Sequence, residues 1–305
     1  MSVSMHGESL FHFTDSLDVI KDILKASAFE ARYCRERLVY EGDFGEESIT
    51  PYLLVPMVSF CDYKLSEISH HALNYGHYGL GMKKGWAIDN GLNPVLYISK
   101  KFEGIQSLLQ TMRDAGVALS DEVSEGVAGK ETLLDAQINV SKIIAWTKNY
   151  QGTLNRKGVI IHDFRFADDK EWRYVARLKD ISQETDDPLS KLIYSTIGRM
   201  RVFPVSDFDC HCCGKSILEC KDTSGDWIRE QKHRATTFLD EDSINLKFRK
   251  CDITFIIVKS NDDRSELIEF FINNKCKSDI SDIAYMSSKI IVKDDLDLRE
   301  LKPIN

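Results

Sequence analysis

The alternation of apolar and polar residues predicts that the chain begins with a strand followed by a helix. The segment Leu10–Thr14 alternates apolar and aromatic residues with polar ones, which is typical of a half-buried strand. The segment after it carries apolar residues at helical spacing. Asp15 or Ser16 precedes this segment, and either residue type can cap a helix.

The middle of the chain is predicted to contain further strands and a long helical region. Tyr52–Tyr63 is an apolar strand interrupted by Pro56, which favours an edge position or a bulge. Asn93–Ser99 and Asp169–Leu178 also have strand patterns, whereas residues 102–147 have mainly helical spacing. Together these elements predict an α+β fold built on a mixed sheet with helical insertions.

The last hundred residues predict a smaller α/β region. ITFIIVK and SSKIIVK have the pattern of strands, and RSELIEFFINN between them has the pattern of a helix. We place a boundary near residue 205, which gives a core of residues 1–205 and a C-terminal region of residues 206–305. The alternative is that the C-terminal elements extend a single sheet.

Composition narrows the class of protein. The chain has 305 residues, of which 43% are hydrophobic and 29% are charged, as in ordinary globular proteins. It contains no run of roughly 18–20 apolar residues that would span a bilayer, and its start lacks the pattern of a secretory signal. We therefore expect a cytoplasmic protein without a membrane partner. The net charge of −8 and the lack of a basic stripe argue against nonspecific nucleic-acid binding.

A cysteine cluster lies just after the proposed boundary. Closely spaced thiolates bind zinc well, so we predict a metal site, with free thiols as the alternative because the spacing is not a pair of CxxC knuckles. The cluster also contains His211 and is followed by GKS, but Asp209 occupies the position where a phosphate loop requires its first glycine. The predicted zinc ligands are Cys210, Cys212, Cys213 and Cys220.

Three predicted strands carry candidate catalytic groups. His12 lies in the first, Ser59 and Cys61 end the second, and Glu171 lies in a late strand. Splitting a glycosidic bond to nicotinamide needs a donor for the ribose hydroxyls, an aromatic wall and a carboxylate that stabilises oxocarbenium-like charge. The structural alternatives are a satisfied histidine and a surface pair between Glu171 and Arg173.

The segment SHHALNYGHYGLG concentrates imidazoles and phenols. His70, His71 and His77 could suit zinc, although no carboxylate helper accompanies them. We favour a glycine-rich turn that places Tyr75 and Tyr78 over a ligand, which makes both candidates for a cofactor site. An ordinary packed turn explains the segment equally well.

Several strings resemble one known family of defence proteins. LFHFT, ILKASAFEARYC, VPMVSFCDYKLSEISHHALNYGHYGLGMKKGWA, GLNPVLY and DKEWRYV resemble the AbiGi family of abortive phage-resistance proteins, sometimes described as the antitoxin of a two-gene system. The resemblance runs through most of the first 205 residues. It implies antiviral defence by abortive infection, with a toxin or a phage protein as partner.

The same order of motifs resembles, more distantly, the DarT-like ADP-ribosyltransferases. That resemblance implies an ADP-ribosyltransferase-like core, NAD as cofactor and transfer of ADP-ribose to a nucleic acid or protein. It makes Glu171 the catalytic carboxylate and places His12, Thr14 and Arg32 against NAD. Ala28 departs from the family pattern, which has a helix-ending glycine there.

Two functions therefore stay open. A transferase would show a cleft containing His12, Arg32 and a tyrosine within reach of Glu171. A non-enzymatic antitoxin or sensor on the same scaffold would show an exposed Glu171 that is paired only with Arg173. A nucleic-acid-binding regulator is a weaker third candidate because the chain is acidic.

Overall fold

A computed structural model describes residues 8–41, 47–49, 53–68, 75–110, 130–156, 159–180, 182–186, 198–200, 202–204, 239–273 and 280–295, and residues 188, 191 and 195. The strands are β1 (Ser9–Thr14), β2 (Ala28–Glu30), β3 (Arg32–Glu36), β4 (Val39–Glu41), β5 (Glu47–Ile49), β6 (Leu53–Cys61), β7 (Tyr78–Lys83), β8 (Asn93–Pro94), β9 (Leu96–Ile98), β10 (Thr147–Asn149), β11 (Gly152–Arg156), β12 (Val159–Phe164), β13 (Glu171–Val175), β14 (Phe203–Pro204), β15 (Asn245–Lys247), β16 (Ile253–Val258) and β17 (Ile290–Val292).

The helices are α1 (Leu17–Ala26), α2 (Lys84–Asp89), α3 (Lys130–Ile144), α4 (Glu241–Ile244), α5 (Asn261–Asn273) and α6 (Ile280–Ser287). Residues 103–110 are also helical. Short 3-10 turns lie at Leu65–Glu67, Phe166–Asp169, Ser182–Glu184 and Lys250–Asp252. In the described part of the chain, every helix is too short or too polar to cross a bilayer.

A mixed sheet organises the molecule. Its strands follow the order β17, β16, β7, β1, β6, β13 and β8, and both β3 and β14 also pair with β6. β16 and β17 run parallel, whereas the other pairs in this sheet are antiparallel. The predicted mixture of helices with a mixed sheet is therefore confirmed.

β6 is the central strand, and it has two partners along each edge. Met57 pairs with both β3 and β13, and Cys61 pairs with both β1 and β13. Because a residue has only two neighbours in a sheet, β3 and β1 must lie on the same edge of β6. β3 covers residues 53–57 of that edge and β1 meets it at Cys61, so the sheet is split between them near Ser59.

Pro56 corrects one sequence expectation. The predicted edge position is wrong, because β6 lies inside the sheet. The Pro56 carbonyl accepts a hydrogen bond from the Ala176 N–H at 2.8 Å, but proline has no N–H with which to return it. β13 ends at Val175, and β14 takes over the same edge at Leu54. The missing donor thus falls where one neighbouring strand gives way to the next.

Local sequence explains the first helix. The Ser16 hydroxyl accepts a hydrogen bond from the Asp18 N–H at 3.2 Å and caps the start of α1. Ser27, directly after the last helical residue, has a left-handed φ of 53° and caps the other end. Leu17 and Ile20 are buried against the sheet, so the predicted strand and helix are both confirmed. The predicted strand Asn93–Ser99 is instead divided into β8 and β9, which belong to different sheets.

The C-terminal strand–helix–strand unit is confirmed as β16, α5 and β17. β16 pairs with β7, so β16 and β17 extend the large sheet. This arrangement is the alternative to a separate C-terminal region. The division into residues 1–205 and 206–305 stays a prediction, and residues 205–238 lie outside the described chain.

Candidate functional site

The split in the sheet opens into a cavity of about 240 Å³. Strand alternation places Met57, Ser59 and Cys61 of β6 on one face, towards this cavity. Because cross-strand partners share a face, Glu171 joins Cys61 there. We call this the Glu171 cavity, and its lining comprises Phe11, His12, Phe13, Cys34, Glu36, Met57, Ser59, Cys61, Tyr75, Lys148, Asp169 and Glu171.

Glu171 is buried, and both oxygens of its carboxylate accept hydrogen bonds from the protein. Its residue exposure is 6%, and its carboxylate accepts hydrogen bonds from three side chains. The Ser59 hydroxyl donates to Oε1 at 2.9 Å, Arg173 Nε donates to the same oxygen at 2.6 Å, and Lys148 Nζ donates to Oε2 at 2.9 Å. Charge-assisted hydrogen bonds of this kind are among the stronger ones in proteins.

Arg173 lies beside Glu171 and is completely buried. Besides Glu171, its guanidinium donates to Glu36 Oε1 at 3.1 Å through Nη2 and to the Ala145 carbonyl at 3.1 Å through Nη1. Two cations thus face two carboxylates. We call Glu36, Lys148, Glu171 and Arg173 the ionic cluster.

Contacts within the ionic cluster shift the pKa values of Glu171 and Lys148. Burial alone would raise the pKa of Glu171, but the nearby Arg173 and Lys148 charges outweigh it and lower that pKa to about 2. Burial disfavours the charged Lys148, yet Glu171 and Glu36 raise the pKa of its ammonium group above the usual value. Glu171 and Lys148 are therefore held in their charged forms at neutral pH.

Asp169 supplies a second buried carboxylate at the cavity. It accepts hydrogen bonds from the hydroxyl of Tyr75 and, at 3.4 Å, from the hydroxyl of Tyr63. Burial raises the pKa of Asp169, although the Tyr75 hydrogen bond opposes that shift. The predicted site residue Tyr75 therefore does line the cavity, and its hydroxyl is directed to a carboxylate of the protein.

His12 borders the cavity where the sheet divides. Its Nδ1 lies 2.9 Å from the Ser59 carbonyl, and since a carbonyl only accepts, the ring proton is on Nδ1. The ring also packs against Phe29 and Phe60 in the main core. Burial lowers the pKa of His12, which favours a neutral imidazole. The histidine thus occupies the gap that β1 and β3 leave beside β6.

Three predicted ligand contacts lie outside the lining of this cavity. Thr14 ends β1, opposite Tyr78 in β7. The Tyr78 hydroxyl donates to Asp263 at 3.3 Å instead of facing Glu171. Arg32 is exposed, and its guanidinium lies 3.4 Å from Glu30. The roles of these residues in binding NAD stay predictions.

The thiol of Cys34, in the cavity lining, is poorly suited to nucleophilic chemistry. Burial raises the pKa of the Cys34 thiol to about 11, so it is protonated at neutral pH.

Among the described residues, no group of three or more His, Cys, Asp or Glu side chains could hold a metal ion. The predicted zinc ligands Cys210, Cys212, Cys213 and Cys220, together with His70 and His71, lie outside the described chain.

Sequence reasoning identified Glu171 but missed most of its partners. It placed Arg173 with Glu171 in a surface pair, and that alternative is wrong because both side chains are buried. The spacing of two residues along a strand already indicated a shared face. Lys148 and Glu36 had no comparable signal, since Glu36 lies 137 residues from Arg173.

A second cavity of about 350 Å³ lies on another side of Glu171. Lys84 and Trp172 line it, and the Lys84 ammonium lies 2.7 Å from Asp62 and 5.6 Å from the centre of the Trp172 ring. The lysine is thus neutralised by a carboxylate and packed on the indole.

Comparison with known proteins defines the class to which the chain belongs. A family model described as "Putative abortive phage resistance protein AbiGi, antitoxin" matches residues 27–201, which is more than half of the chain. The chain belongs to the AbiGi family of abortive phage-resistance proteins. It is 25% identical over 203 residues to the abortive phage resistance protein AbiGi of Lactococcus lactis subsp. cremoris, an alignment that covers 59% of this chain and 80% of that relative. No solved structure matches the chain.

We expect the Arg173→Met substitution to destabilise the fold by about 3–5 kcal/mol, because it leaves buried carboxylates without a cation. Arg177→Met is the matched control: Arg177 is largely exposed, and its guanidinium lies 3.5 Å from Asp240. That change should cost no more than about 1 kcal/mol. Denaturant unfolding would measure both, and similar losses for the two variants would contradict a structural role of the ionic cluster.

Glu171 should also make stability depend on acid. The pKa of Glu171 is about 2 in the folded chain, below its ordinary value of 4.5, so its contribution is complete above that value and is lost as the pH falls towards 2. We expect the unfolding free energy of Glu171→Gln to fall less steeply than that of the natural chain across this window. Glu184→Gln, at an exposed pair with Lys179, is the control. Parallel curves for Glu171→Gln and the natural chain would refute the shift.

Proposed function

We propose that this chain is the antitoxin of an abortive-infection system and that it acts by binding a toxin partner. The family description as an antitoxin supports this role. The observation that carries it is that the Glu171 carboxylate accepts hydrogen bonds from three protein donors, two of them cations. Glu171, the residue most suited to catalysis, therefore contributes to the stability of the fold.

Charge balance favours the same conclusion. A carboxylate that stabilises an oxocarbenium-like transition state acts through negative charge that is available to the substrate. The charge of Glu171 is already opposed by Lys148 and Arg173, at 2.9 and 2.6 Å. A substrate would have to displace one of these cations from Glu171, and that cation would then lose a carboxylate that offsets its burial.

A transferase with an ADP-ribosyltransferase-like core is the second candidate, because one cavity brings together His12, Tyr75 and Glu171. In that case NAD would be the cofactor, and ADP-ribose would pass to a nucleic acid or protein. The volume of about 240 Å³ lies below the roughly 300–1,000 Å³ of typical small-molecule sites. A dinucleotide would therefore extend well beyond the cavity.

Growth of cells that co-express the adjacent toxin gene separates the two candidates. We expect Glu171→Gln to protect those cells in proportion to the amount of folded protein that it yields, because the charge of Glu171 stabilises the fold and takes no part in chemistry. His12→Asn is a second variant, and the melting temperature of each purified protein controls for folding. We also expect the natural chain to leave NAD intact in cell extract. Consumption of NAD by the natural chain, abolished in an equally folded Glu171→Gln, would overturn the proposal in favour of the transferase.

A further inference from the structure

β11 and β12 form a hairpin that is separate from the large sheet. They pair with each other, and among the strands that the structure describes none pairs with the outer edge of either. The base of the hairpin is fixed: the Tyr150 carbonyl accepts the Ala167 N–H at 3.2 Å, and the Arg165 guanidinium lies 5.9 Å from the centre of the Tyr150 ring. The hairpin is therefore held at its base and, within the described residues, carries no further strand along either outer edge.

β12 exposes three consecutive aliphatic side chains. Val159, Ile160 and Ile161 are 59, 57 and 38% exposed. Successive residues of a strand point to opposite faces, so both faces of the hairpin present apolar surface to solvent. Natural proteins protect exposed strand edges with charged residues, proline or bulges, and residues 159–161 contain no charge or proline. The pairing becomes irregular directly after Ile161, where β12 has one more residue than the facing stretch of β11 and Asp163 has a positive φ of 56°. The open edge is therefore confined to residues 159–161.

We propose that the edge and apolar faces of β12 are the surface that binds the toxin, an inference that rests on the proposed antitoxin function. An open strand edge with alternating apolar side chains suits an extended segment of another protein, which adds a strand and fills pockets between the side chains. The hairpin lies within residues 27–201, the segment that the family model matches. The proposed surface thus lies in the part of the chain that resembles the other members of the family.

Charge favours a different protein over a second copy of this chain. Each copy has a net charge of −8, so two copies repel one another as they approach. A partner of neutral or positive net charge meets no such penalty.

The hairpin is also connected to the ionic cluster. Phe164, at the end of β12, packs edge-to-face on Phe166, and the Lys148 ammonium lies 5.0 Å from the centre of the Phe166 ring. Lys148 in turn binds Glu171. A rigid base lowers the entropy lost on binding, which makes the hairpin a prearranged docking element.

Co-purification with the protein encoded by the adjacent toxin gene tests the inference. The full-length chain and its Ile160→Asp variant are each co-expressed with that protein, and the dissociation constant is then measured with the purified partners. We expect Ile160→Asp to weaken binding at least about tenfold while leaving the melting temperature unchanged. Ile280→Asp is the matched control, because Ile280 is 84% exposed and lies outside the hairpin.

The outcomes are distinct. Loss of binding in Ile160→Asp with normal binding of Ile280→Asp supports the inference. Normal binding of Ile160→Asp overturns it and leaves the antitoxin function intact. A natural chain that fails to bind the toxin overturns both. Sedimentation that shows a dimer of the natural chain, dissociated by Ile160→Asp without effect on toxin binding, would identify a second copy as the occupant and also overturn the inference.

Discussion

The buried guanidinium of Arg173 is the group on which the arrangement around the split sheet depends. It joins three parts of the chain: Glu171 on its own strand β13, Glu36 at the end of β3, and the Ala145 carbonyl just after α3. Removing a charge from water is costly, and the cost is recovered only when each donor finds a well-placed acceptor. This requirement fixes the position of β3 relative to β13 on the opposite side of β6.

The division of β6 between two pairs of neighbours follows from the same region of the chain. β1 and β3 diverge on one edge of β6 near Ser59. The His12 ring lies in the gap between them, and the Glu171 cavity lies beside it. Ser59 contributes twice, since its carbonyl accepts from His12 and its hydroxyl donates to Glu171. Both polar groups of the Ser59 residue beside the split are therefore satisfied within the protein.

Elements governed by local periodicity could be predicted from the sequence. β1, α1, β13 and the unit formed by β16, α5 and β17 all follow from apolar spacing and capping residues. The central place of β6 could not be predicted, because Pro56 is normally an edge signal and its tolerance depends on where β13 ends. The same holds for the ionic cluster: Glu171 was identified as a carboxylate in an apolar strand, but Lys148 and Glu36 reach it only through tertiary pairing. Glu171 consequently matches neither of the two predicted arrangements. It is not an exposed residue paired only with Arg173, and the cavity that it lines does not include Arg32.

A double-mutant cycle between Glu171 and Arg173 tests the account most directly. Unfolding free energies would be measured for the natural chain, Glu171→Gln, Arg173→Met and the double variant. A closed, buried charge pair predicts a coupling energy of at least about 1 kcal/mol, because the second substitution removes a group that the first has already left unpaired. If the two losses of unfolding free energy add within about 0.5 kcal/mol, that result would contradict a structural role for Glu171, and its carboxylate would again be a candidate for catalysis.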